Sequence, residues 1–92
     1  MKIVEMYDLD EFAKIVGIAT ISVQTALFYS GYNDVIYVDD AYIENAHDRF
    51  DREIARCSDT GKEILRERKN TLDEILLKMD SCDIPRQFIL RA

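Results

Sequence analysis

One glycine, set between two short apolar-faced segments, constrains this chain more than any other feature. Residues 9–29 read LDEFAKIVGIATISVQTALFY. Leu9, Phe12, Ala13 and Val16 recur at helical spacing before Gly17, and Val23, Ala26 and Leu27 do so after it. Gly17 stands where the backbone needs a left-handed residue to leave one helix and enter the next. Ile18 is placed to plug the turn, and Ala13 is small where a second helix would cross closely. Asp8, with Glu11 three residues on, reads as a capping box, flanked by Tyr7 and Phe12 as a hydrophobic staple. The second helix is expected from about Thr20 to Tyr29. It is rich in β-branched residues, so packing rather than propensity must hold it.

Two short helices across a tight turn are the pattern of a helix-turn-helix. The stretch Glu11 to Leu27, EFAKIVGIATISVQTAL, resembles the helix-turn-helix of the lac repressor family and of phage excisionase-type regulators. Ala13, Gly17, Ile18 and Val23 fall on the structural positions of that pattern. The resemblance covers about twenty residues. It implies base-facing positions at Thr20, Ile21 and Thr25, with Gln24 beside them. Two departures stand out. Ala19 sits where the families usually have a capping Ser or Thr, so the resemblance passes the cap to Thr20, and residues 18–29 contain none of the Arg or Lys usual on the recognition helix.

Charge argues against shape. Net charge is −6 over 92 residues. Residues 1–48 hold two lysines against nine acids, a net −7, whereas residues 49–92 hold ten bases against nine acids, a net +1. The half expected to approach a duplex is therefore the acidic half. Phosphate contacts would have to come from Lys14, Arg66, Arg68 and Lys69, with Arg49 as a further source.

Beyond the opening unit, Ser30–Asp34 reads as a turn and Val35–Val38 as a β-prone run. A linker with some β character is favoured there over a strand, because one four-residue strand needs a partner. Residues 3–5 are the other short β-prone segment. Asp39 or Asp40 should cap a third helix to about Cys57, with an apolar stripe of Ile43, Ala46 or His47, Phe50, Ile54 and Cys57. Thr60 and Glu63 read as the capping box of a fourth helix to about Ser81. Its stripe is Leu65, Arg68, Leu72, Ile75 or Leu76, and Met79, with Ile64 alongside. Asp48–Arg52 and Glu74–Lys78 are spaced for surface ion pairs. The two long helices should form an antiparallel hairpin, with Ile43, Phe50, Ile54, Leu65, Leu72, Leu76 and Met79 as the seam that also joins two copies into a homodimer. The apolar segment 82–92 is expected to cover the hairpin or to dock on another chain.

The expected fold class is all-α, in one domain: a helix-turn-helix region over 1–38, a helical hairpin over 39–81 and an apolar tail over 82–92. No nucleophile–base pair, phosphate loop or nucleotide fingerprint is present, so no enzyme activity is expected. Cys57, Cys82 and His47 are too few and too scattered for a zinc site, and no cofactor or metal is expected. The cysteines should be reduced thiols, too far apart for a disulfide. No apolar run reaches the roughly 18 residues of a membrane span, and residues 1–12 lack the apolar core of an export signal. No membrane contact and a cytoplasmic location are the expectation. The expected function is that of a small DNA-binding regulator, acting on double-stranded DNA as a homodimer. The alternative is an acidic protein-binding module on the same scaffold, of antitoxin, inhibitor or anti-repressor type.

Overall fold

The computed structural model describes residues 4–28 and 34–92. Lys2, Ile3, Tyr29 and the turn expected over 30–33 lie outside the described residues. In chain order the elements are β1 (Glu5–Asp8), α1 (Leu9–Val16), α2 (Thr20–Leu27), β2 (Val35–Val38), α3 (Asp40–Arg56), α4 (Asp59–Ser81) and β3 (Phe88–Arg91). The chain is mostly helical, but the three strands form one sheet in the order β1-β3-β2, so it is not purely all-α.

β3 is the centre of that sheet. It pairs in parallel with β1, Glu5 opposite Phe88 through Asp8 opposite Arg91. On its other side it pairs antiparallel with β2, Val35 opposite Arg91 through Val38 opposite Phe88. The segment expected to cover the hairpin or to dock on another chain thus holds the strand that joins β1 to β2. The run 35–38, favoured above as a linker, is an edge strand because β3 supplies the partner it needed. The first strand begins two residues later than the β-prone run 3–5 suggested.

Phe88 and Leu90 alternate inward from β3, and Ile36 and Val38 do so from β2. Phe88 stacks on Phe12 at 5.2 Å, and Tyr7 meets both rings edge-on, at 5.7 Å and 6.2 Å. Those three rings fasten β1, α1 and β3 together, and Tyr7 and Phe12 are the expected staple pair.

Helix α1 ends as its sequence requires. Gly17 has φ 68°, and Ile18 N–H donates to the Ala13 carbonyl at 3.1 Å, closing the last turn. Helix α4 ends by the same device without a glycine: Asp83 takes φ 56°, and Ile84 N–H donates to the Met79 carbonyl at 3.1 Å. The helix starts differ more from expectation. Asp8 makes no side-chain cap bond; its carboxylate instead accepts two hydrogen bonds from Arg91, at 2.7 and 3.0 Å. Ala19, not Thr20, occupies the cap of α2, without a side-chain bond. Ser58, not Thr60, caps α4 by accepting from Gly61 N–H, while Asp39 caps α3 by accepting from Tyr42 N–H at 2.8 Å.

The α3–α4 hairpin forms as expected, but its seam is not a surface. Ile43, Phe50, Leu65, Leu72 and Met79 are buried within this one chain, and Ile54 and Leu76 pack on the same cluster half-buried. The sheet and α1–α2 consume the stripes that the sequence reading assigned to a second copy. The polar side-chain contacts also run across the hairpin rather than along each helix. His47 Nε2 lies 2.8 Å from the Asp73 carboxylate, and Lys69 Nζ lies 2.5 Å from that of Asp51. Asp48–Arg52 and Glu74–Lys78 are not among the ion pairs of the described residues. Cys57, at the hairpin turn, and Cys82, at its far end, are free thiols. Among the described residues no helix is long and apolar enough to cross a membrane.

Candidate functional site

Helix α2 buries Val23, Ala26 and Leu27 on one side. At 100° per residue the opposite direction falls on Ile21, with Gln24 and Thr25 to either side. Ile21 is 65% exposed and Gln24 is exposed, so this face is open. Thr20 and Thr25 are half-buried and form its margins. The four residues expected to face a ligand are therefore on one side of α2, but only two of them stand clear of the protein.

Thr25 is walled by α4. A shallow cleft of about 220 Å³ lies between the two helices, lined by Ser22, Thr25, Ile64, Glu67, Arg68 and Thr71. Its two threonines turn their hydroxyls onto their own helices: Thr25 Oγ1 donates to the Ser22 carbonyl at 3.1 Å and Thr71 Oγ1 to that of Glu67 at 3.0 Å. The cleft thus offers methyl groups and hydroxyl lone pairs, with the Arg68 guanidinium and the Glu67 carboxylate at its rim. A second cavity of about 470 Å³, lined by Glu53, Arg56, Cys57, Gly61, Ile64, Leu65 and Arg68, continues along α4 to the hairpin turn. Ile64 and Arg68 line both.

The expected phosphate-contact residues divide into two groups. Lys14, Arg66 and Arg68 are exposed, and Arg68 reaches the flank of α2. Lys69, the next residue, points about 100° round the helix toward α3. There Asp51 accepts its hydrogen bond and holds its ammonium pKa above the usual lysine value. Lys69 is therefore a hairpin tie and not a free cation. Arg49 is partly buried, and that burial pushes its pKa down.

The far end of α2 is fixed by a residue the sequence reading did not single out. The Tyr42 hydroxyl, on α3, donates to the Leu27 carbonyl. This bond satisfies one of the carbonyls left open where α2 stops, and burial raises the Tyr42 pKa. Nothing in the sequence near Tyr42 pointed to α2, because the contact crosses fifteen residues.

No family model matches this chain, and no curated protein or solved structure does. The geometry must therefore carry the functional reading. Among the described residues no group of three or more His, Cys, Asp and Glu side chains is placed to hold a metal ion. What remains is a neutral, partly apolar helix face in the half of the chain that carries a net −7, with Arg68 at one margin.

Proposed function

We propose that this chain is a small DNA-binding regulator of the transcriptional or mobile-element kind, reading duplex DNA with α2. Ile21 and Gln24 meet base edges, Thr20 and Thr25 border them, and α4 supplies the phosphate attraction that α2 lacks. The observation that supports this reading is the shared cleft of Thr25 and Arg68. A cation on a neighbouring helix beside the reading face can replace one on the face itself, because phosphates flank the groove on both sides. An isoleucine can contact a thymine methyl and a glutamine can pair with adenine, so a neutral face is able to discriminate bases. Enrichment of sequences from a random duplex pool at low salt tests the reading. Ile21→Asp should abolish the enrichment while leaving the melting temperature nearly unchanged, since Ile21 is 65% exposed.

A second reading, a protein-binding module, is favoured by one observation of its own. The centre of the open face is an exposed isoleucine on a helix without any charge, within a half-chain of net −7. Charge-poor apolar patches are commoner at the core of protein interfaces than at phosphate-rich ones. Failure of the pool to enrich at low salt would transfer the proposal to this reading.

A further inference from the structure

The edge of the sheet carries an inference independent of how α2 is used. Ala92 N–H donates to the Asp34 carbonyl at 2.7 Å, which makes this facing pair a hydrogen-bonded one. Hydrogen-bonded and non-bonded pairs alternate along an antiparallel ladder. Ile36 and Val38 therefore turn their backbone groups toward β3, and Val35 and Tyr37 turn theirs away. Among the described residues no strand pairs on that side of β2. The same two residues are exposed in their side chains, 51% for Val35 and 45% for Tyr37.

The two edges of the sheet differ in a telling way. β1 is EMYD, with an acid at each end; β2 is VIYV, with no charge and no proline. Charges, prolines and short length keep edge strands from pairing with other chains, and β2 has only the last. We infer that β2 pairs antiparallel with the β2 strand of a second copy, about a two-fold axis at Ile36, so that the two sheets become one of six strands. In that register Val35 faces the partner subunit's Tyr37, and the two-fold repeats the contact. A β-branched residue opposite an aromatic one is a favourable cross-strand pair. The hydrogen bonds fall on the outward-pointing groups of these same residues. The occupant is a second copy because this short strand is complementary to itself in this register. Two chains of charge −6 also need an uncharged strip along which to approach.

Four residues per strand make a small interface beside the roughly 800 Å² per partner of a standard one, so the association is expected to be weak. Sedimentation equilibrium of the full chain, from about 1 μM to about 1 mM, tests it. The mass-average should climb from 10.7 kDa toward twice that value. Val35→Lys/Tyr37→Lys should weaken association at least tenfold (an estimate of roughly 1.4 kcal/mol), by setting lysines opposite one another. Val35→Lys/Tyr37→Glu should retain it, because the register sets each new charge opposite its counter-charge. A constant 10.7 kDa at every concentration overturns the inference. So does association that both double variants leave intact, or that both abolish equally.

Discussion

The α1–α2 unit and the three-stranded sheet are built on opposite principles. The first is closed within 19 residues, by Gly17 and by apolar positions one turn apart. The second is assembled from segments more than 80 residues apart, since Asp8 meets Arg91. The difference teaches where the chain keeps its stability and where it offers a surface. The sheet supplies the ring cluster that anchors α1, whereas α2 turns an uncharged face to solvent. If this contrast is right, breaking the remote element should damage the local one more than changes within the local one do.

The largest effect is expected from Phe88→Ala. Phe88 is fully buried and touches the rings of both Tyr7 and Phe12. The loss should be about 3–5 kcal/mol in a urea titration, a large part of a small domain's stability. The far-UV helical signal should fall in the same transition. Survival of α1 and α2 after the sheet is lost would show that the two regions are separate units. Next comes Gly17→Ala. An added Cβ meets nothing within 4 Å, so the cost is that of the left-handed backbone alone, about 1–2 kcal/mol by thermal melting. A much larger loss would mean that the turn is held by contacts the geometry does not contain.

Arg91→Ala should cost less, at most about 1 kcal/mol, because both members of the Asp8–Arg91 pair are roughly half exposed. Its effect should shrink further in about 1 M salt, where charges beyond a few ångströms are screened. An effect that persists unchanged in salt would point to packing by the arginine stem instead. The smallest change is a gain. Asp83→Gly relieves a non-glycine residue at φ 56° and should raise stability by about 0.5 kcal/mol, read as a small upward shift in melting temperature.

Legibility in the sequence followed the same division. The α1–α2 boundary and its buried residues could be read because glycine and helical spacing are local signals. The hairpin could be read for the same reason, down to Cys57 and Ser81 as near ends. The sheet could not. VIYV and FILR are each four residues long, and neither fixes its partner without the other. Without β3 as a partner the run 35–38 carries only the signal of a linker, and without the sheet the apolar stripes of the hairpin have no cover within the chain. Asp8 holds the cap position expected of it, but its carboxylate is taken by Arg91, which the local sequence does not reveal. At the candidate site, spacing gave the side of α2 that is open. It did not give the neighbour at its margin. Arg68 stands at stripe spacing between Leu65 and Leu72, yet it is exposed and lines the cleft beside Thr25.

The functional account rests most heavily on α4 lending charge to α2. The salt dependence of duplex binding measures this directly, by fluorescence anisotropy of a labelled duplex over about 20–200 mM salt. The logarithm of the binding constant should fall linearly with the logarithm of salt concentration. In Arg68→Ala the slope should be shallower by about 1, roughly one per phosphate contact removed. The helical signal should be unchanged, since Arg68 is exposed. Binding whose slope is the same in the wild type and the variant, or no binding at the lowest salt, would contradict the account.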